Sequence, residues 1–349
     1  MINFPVDLVV PYVDSSDKQW QVLFDTYNPE TSKEIEGVNA RNRFRGQGDF
    51  FRYFFRCITT NLPWIRTIHL IVQSPSQVPT WLNTDERVHI VLHQDIIPGK
   101  YLPTFNSTCI EMFLWNIVGL SEHFLYMNDD IFVINPLTKH DFFSLNGYPK
   151  CYEYARVNKT SMYGHHCLNG YCLACGISAD TLASKTQNIP AMPHTIRPYL
   201  KSVMTKAFKE KEGDIKESIS RFRETKNINV YYFDYYLVQK HLNNKQSTIS
   251  TSVINERTKT QRIIDILKSN ISVVALQDTN PNIDLYKKEA LHHAFNKKFK
   301  YKSPYENSAY VDTIAESYVP EKPHQNAGRD DLSNEDFGSL DAWLDTYKK

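Results

Sequence analysis

The chain reads as an α/β protein built on a doubly wound, mostly parallel Rossmann-like sheet with a mainly helical insertion or lid. Three observations predict this. A near-continuous apolar run, Val6 to Val13, opens the chain, as a strand covered on both faces requires. Strand and helix patterns then alternate up to about residue 140, the order that gives parallel strands joined by right-handed crossovers. Acidic residues recur just after the apolar runs, where an open parallel sheet binds its ligands.

The elements follow in order. Val6 to Val13 is the first strand and ends in the polar turn Asp14-Ser15-Ser16-Asp17. Asp49 to Asn61 is a helix, because Phe50, Phe51, Phe54, Phe55 and Ile58 recur at helical spacing. Ile68–Val72 and Val88–Leu92 are the second and third strands. Thr108 to Val118 is a helix opened by Thr108 with Glu111 three residues on, a capping-box pattern, and closed by Gly119. Phe124–Met127 is a strand running into Asn128-Asp129-Asp130. Tyr231 to Asn243 reads as a helix, and Ile271 to Leu276 as a strand returning to the core with Asp278 at its end.

This divides the chain into 1–140, the first part of the core; 141–226, a mostly helical insertion; 227–320, the rest of the core; and 321–349, a polar acidic tail with a short terminal helix.

Composition narrows the function. Among 349 residues, 40 Lys and Arg stand against 39 Asp and Glu, a net charge of +1, so no global field favours nucleic acid. The 21 Tyr, 19 Phe and 5 Trp supply core packing first and sugar-stacking surface second. Apolar runs are strand-sized, far short of the ~20 residues that span a bilayer. The N-terminus lacks a basic and apolar leader, and six irregularly spaced cysteines do not make a disulfide framework. The expectation is a cytoplasmic protein with reduced thiols. The basic stretch Arg197 to Lys226 is either a solvated helical face, given its interspersed Glu210, Glu212 and Glu217, or a peripheral contact with the inner face of the plasma membrane.

The acids at strand ends are Asp14 and Asp17, Asp129 and Asp130, and Asp278. Carboxylates converging on one edge suit a hard cation such as Mg²⁺ or Mn²⁺, although any one Asp there also serves as a turn or cap residue. Arg41, Arg43, Arg45, Arg52 and Arg56 crowd Gly46-Gln47-Gly48, and the guanidinium fork matches a diphosphate. His194 and Arg197 share a proline-bounded loop, and Arg221-Phe222-Arg223 repeats the basic theme. His165-His166-Cys167 with Cys172 and Cys175 has a zinc-like spacing, but its apolar setting makes buried thiols the expected state.

The order of these segments resembles the Stealth family. Val6 to Asp17 is similar to its first block. Arg43-Phe44-Arg45, Asp49–Tyr53, Pro63–Ile68, Val78–Asn83, Leu102–Ser107 and Leu120–Asp130 resemble its second; Met192–Pro198 resembles its third. Val274–Asp278 stands where the fourth has Cys-Leu-Asn-Asp. Pro11, Gln47-Gly48-Asp49 and Gln277 depart from the pattern.

The resemblance implies a glycosyltransferase-like sheet and a bacterial polysaccharide enzyme. Such an enzyme moves hexose-1-phosphate from a UDP-hexose or UDP-HexNAc to a hydroxyl of an oligosaccharide or lipid-linked glycan, releasing UMP. On that basis Asp129, Asp130 and Asp278 hold the metal, and Arg43, Arg52, Arg197 and Arg223 stabilise the transferring phosphoryl. His194 is the general base with Asp14 or Asp17 as rival, and Asn106, Asn128 and Arg45 bind the donor. Two other readings stay open: a metal-dependent glycosyltransferase releasing UDP, and a non-catalytic polysaccharide-binding scaffold.

Overall fold

β1 (Val6–Pro11) is the central strand, and its first five residues are fully buried. A computed structural model of the chain describes residues 2–28, 39, 41–44, 46–84, 87–150, 161–178, 194–237, 249–277 and 283–307. Parallel to β1 lie β2 (Ile68–Val72) on one side and β4 (His123–Tyr126) on the other, and β3 (Val88–Leu92) pairs in parallel with β2. β6 (Arg197–Leu200) runs antiparallel to β4, giving a five-stranded sheet ordered β3-β2-β1-β4-β6. The α/β class and the mostly parallel sheet agree with the sequence reading.

Two placements differ from it. The segment 141–226, read as mostly helical, contributes β6 to the main sheet. Pro198 is tolerated there because β6 is an edge strand. The late strand, β8 (Val273–Leu276), does not rejoin that sheet, whose position beside β4 is already taken by β6. It pairs antiparallel with β5 (Ile131–Val133) and parallel with β7 (Thr251–Ile254) in a second, three-stranded sheet.

Helices cover these sheets. α1 (Lys18–Tyr27), absent from the sequence reading, is capped by Asp17 and buries Trp20 and Phe24, four residues apart on one face. α2 (Phe51–Asn61) is the expected phenylalanine helix. Phe51, Phe54, Phe55 and Ile58 are all fully buried, and each such side chain contributes roughly 2–3 kcal/mol of apolar burial. α3 (Ser107–Glu111) is shorter than expected and starts earlier. Asn106, not Thr108, is its cap, accepting from Thr108 N–H at 3.1 Å and from the Thr108 hydroxyl at 2.8 Å. Glu111 is drawn towards Arg197 instead of folding back on the cap, and the segment ends as a separate 3₁₀ turn, Leu114–Asn116.

α4 (Met162–Cys175) carries the Cys/His patch. Cys167 and Cys172 are buried, and His166 Nε2–H donates to the Glu224 carbonyl at 2.8 Å. The buried thiols expected here are found at Cys167 and Cys172, whereas Cys175 is exposed. α5 (Lys201–Glu210) and α6 (Glu212–Ser218) turn Met204, Phe208 and Ile215 inward. Among the described residues no helix is long and apolar enough to cross a membrane.

Candidate active site

Pro11 opens the site. Leu8 and Tyr12 donate towards β2, to Thr67 and Ile71 (2.9 and 2.8 Å), so the alternate residues Val9 and Pro11 face β4. Proline has no N–H to donate, and the β1–β4 ladder ends at the Val9–Tyr126 pair. The strands part where the strand order changes direction, and that is where open α/β sheets bind ligands.

Three segments enter this opening. After β1 comes Asp14, whose carboxylate accepts from Ser16 N–H at 2.8 Å. After β4 comes Asn128-Asp129-Asp130. The third segment arrives from the insertion. Because β6 is antiparallel to β4 with Tyr126 opposite Arg197, His194 just ahead of β6 lies at the same end as Asp130 just beyond β4. His194 Nε2–H donates to the Asp130 carboxylate, 3.0 and 3.1 Å from its two oxygens, with both side chains partly exposed. A slip of one residue in β6 would separate the pair, since side chains alternate faces along a strand.

The floor of the opening is charged and crowded. Burial, with the adjacent negative charge of Asp130, pushes the Asp129 carboxyl well above the usual carboxylate range against the opposing hydrogen bond of Gln47. Gln47 Nε2–H also donates to the Asp129 carbonyl at 2.6 Å. Gly46 packs directly on Asp14: a Cβ there would lie 2.6 Å from Asp14 Cγ, so only glycine fits. Residues 46–47 thus tie the two acidic loops together. Burial and the charges of Asp14 and Asp129 raise the Tyr12 hydroxyl far above its usual range, which places that phenol beside both acids.

Glu111 supplies a further carboxylate that sequence reasoning assigned only to a cap. Burial raises its pKa, opposed by the charge of Arg197, the Tyr126 hydroxyl and the charges of Arg223 and His194. Arg197 NH1 lies 3.5 Å from Glu111 Oε2 and its guanidinium sits over the Tyr231 ring. Glu111 therefore joins Arg197, Arg223 and His194 in one electrostatic group. The available signal was a charged residue inside the apolar run Cys109-Ile110-Glu111-Met112-Phe113.

The other expected site residues divide. Arg43 is exposed on a 3₁₀ turn, Arg223 is partly buried with its guanidinium over Phe44 and NH2 donating to Ser107 Oγ at 3.3 Å, and Asn128 is partly exposed beside Asp129. Arg197 is buried under the group, not open to the cleft.

Three of the expected residues are tied into the fold. Asp17 caps α1, one oxygen accepting from Gln19 N–H at 3.1 Å and the other from Ser76 Oγ at 2.9 Å, so it is a structural cap. Arg52, 2% exposed, holds Asp49 through its carbonyl (3.1 Å) and carboxylate (3.4 Å). Asn106 is fully buried and its amide donates to Phe222 O (3.2 Å) and Asn227 Oδ1 (3.0 Å), fastening the Arg223 loop instead of a ligand. Arg45 and Asp278 lie outside the described residues.

Residues 43–151 match the family model described as Stealth protein CR2, conserved region 2. Receptor polysaccharide phosphotransferase WefC of Streptococcus gordonii is 30% identical over 262 residues, 67% of this chain and 78% of that protein. Capsular polysaccharide phosphotransferase LcbA of Aeromonas hydrophila is 30% identical over 246 residues, 66% of this chain. Exopolysaccharide phosphotransferase cps2G of Lactiplantibacillus plantarum is 40% identical over 148 residues, 42% of this chain. The chain spans 65% of LcbA and 42% of cps2G. A galactosyltransferase crystallised with donor and acceptor sugar analogs aligns over 84% of this chain and 95% of that one, at a TM-score of 0.38 and 10% identity, too low to carry any inference. On the extent of the match to WefC and the matched second conserved region, the chain belongs to the Stealth family.

Proposed function

We propose that the chain transfers a sugar-1-phosphate from a UDP-sugar to a hydroxyl of an acceptor glycan in the synthesis of a bacterial surface polysaccharide. The observation that carries this reading is the His194–Asp130 dyad at the mouth of the β1–β4 opening, backed by Glu111, Arg197 and Arg223. With Nε2–H held by Asp130, the Nδ1 lone pair of neutral His194 is left to take a proton, the arrangement of an oriented general base. The acceptor oxygen attacks the β-phosphorus, the bridging P–O bond to the α-phosphate breaks, and UMP leaves. The acceptor proton passes to His194 Nδ1, and the product is a sugar–phosphate–sugar diester. Arg223, with Arg43 at the rim, would balance charge on the transferring phosphoryl.

A divalent cation fits the donor set. Asp129 and Asp130 are adjacent carboxylates whose mutual repulsion, with burial, already disfavours ionising Asp129. Asp129 and the free lone pairs of Asp130 would hold Mg²⁺ or Mn²⁺ together with the donor diphosphate. Bound there, the ion would neutralise the diphosphate and assist departure of UMP.

The test is to incubate the protein with a panel of UDP-sugars, Mg²⁺ and short acceptor glycans, and to follow phosphorus by NMR. Release of UMP with a new phosphodiester signal is the expected result. Release of UDP with no phosphodiester would make the protein a metal-dependent glycosyltransferase, and turnover of neither kind would favour the binding-scaffold reading.

A further inference from the structure

Asn39 lies outside the matched conserved region, yet it is 1% exposed and bonded to a residue 184 positions away. Its side-chain Nδ2–H donates to the Arg223 carbonyl at 2.9 Å, and its Oδ1 accepts from the Arg223 N–H at 3.0 Å. One primary amide thus satisfies both main-chain groups of a single residue, as a neighbouring strand would. The cradle continues around the guanidinium, which lies over the Phe44 ring at 5.8 Å and donates to Ser107 Oγ at 3.3 Å. Below it, Phe24, Phe44, Phe105 and Phe222 form a separate aromatic cluster with Trp20; Phe105 and Phe222 stack at 5.0 Å and Phe24 meets Phe222 edge-on at 5.5 Å.

We infer that Asn39 is a positioning residue for Arg223, fixing the backbone from which that guanidinium reaches the donor diphosphate. This rests on the proposed reading, in which Arg223 meets the donor. A flexible Arg loses rotamer and loop freedom when it engages a phosphate, and a clamped backbone has already lost the loop part. Asn39 acts at no reacting atom; it acts through Arg223. Its effect must vanish once Arg223 no longer serves.

A double-mutant cycle tests this with UDP and Mg²⁺ as the probe, titrated calorimetrically against the full chain. Arg223→Ala is expected to weaken UDP by about 10-fold or more and Asn39→Ala by about 3- to 10-fold. In the Arg223→Ala background, Asn39→Ala should cost less than about 2-fold. Equal losses in both backgrounds would overturn the assignment while leaving the donor reading intact, and so would Arg223→Ala binding UDP as the wild type does. Failure of the wild-type protein to bind UDP at all would overturn the donor reading and this assignment with it. Asn39→Ser, which keeps one hydrogen-bonding group, replaces Asn39→Ala if thermal melts show that the alanine variant does not fold. Its loss should be smaller and equally absent without Arg223.

Discussion

His194 and Asp130 make different demands on the same pair, and substitution separates them. His194→Ala removes the proposed base and should abolish transfer while UDP affinity stays within about 3-fold, because on that proposal the imidazole acts on the acceptor proton. Asp130→Asn should lower kcat by roughly 10²-fold or more, since an amide can present N–H to Nε2 and stabilise the wrong tautomer. Single-turnover rates and UDP titrations read the two effects independently. Equal loss of binding and rate in His194→Ala would make the histidine a donor ligand. Asp14, Asp129 and Asp130 stood out in the sequence because they follow apolar strands, and His194 because it lies in a proline-bounded loop that resembles the family's third block. Glu111 was not, since a glutamate three residues after Thr108 fits a capping box and nothing local reveals Arg197, 86 residues on.

At the scale of elements, β2 and β3 were readable to the residue, because each is an apolar run broken by a single histidine; β2 is buried throughout, whereas the edge strand β3 exposes His89. Short elements held by distant partners were not. α1 was passed over although Trp20, Leu23, Phe24 and Tyr27 recur at helical spacing behind Asp17, and β6 is four residues with a proline. Their existence is fixed by the aromatic cluster and by β4, neither of which is local. Asn106 shows how much such a distant tie is worth. It caps α3 and fastens the 220–227 loop through one buried amide. Asn106→Ala should destabilise the protein by about 2–4 kcal/mol, as a lost cap and unsatisfied buried carbonyls add, and should weaken UDP binding by releasing the Arg223 loop. Chemical denaturation measures the first effect. A change below about 0.5 kcal/mol would show that the loop holds its place without it.

For the whole molecule, acid sensitivity follows from two buried imidazoles. Burial pushes His93 down to about 4, and burial likewise pushes His166 down to about 4 against its bond to the Glu224 carbonyl. In the unfolded chain both return to about 6.5. Between those values the unfolded state binds protons that the folded state refuses, so stability is full above about pH 6.5 and falls as pH drops towards 4. Each group contributes on the order of 3 kcal/mol to that fall. Asp7 adds a later loss: burial opposes its ionisation, but His69, Arg66 and the Ser121 N–H outweigh it and hold its carboxyl well below the usual range. Its contribution is present above about pH 4 and lost below it. Melting temperatures from pH 8 to 4 should be flat and then decline from about 6.5. Replacing His93 and His166 by Gln should flatten the decline, and an unchanged slope would assign it to other groups.

One consequence follows from the way β6 returns to β4. His194 and Asp130 meet through strand pairing, so their approach is set by the β4–β6 register and not by the number of residues between them. The length of that interval can therefore differ between relatives while the pairing of β4 with β6 keeps the two side chains at one end of the sheet.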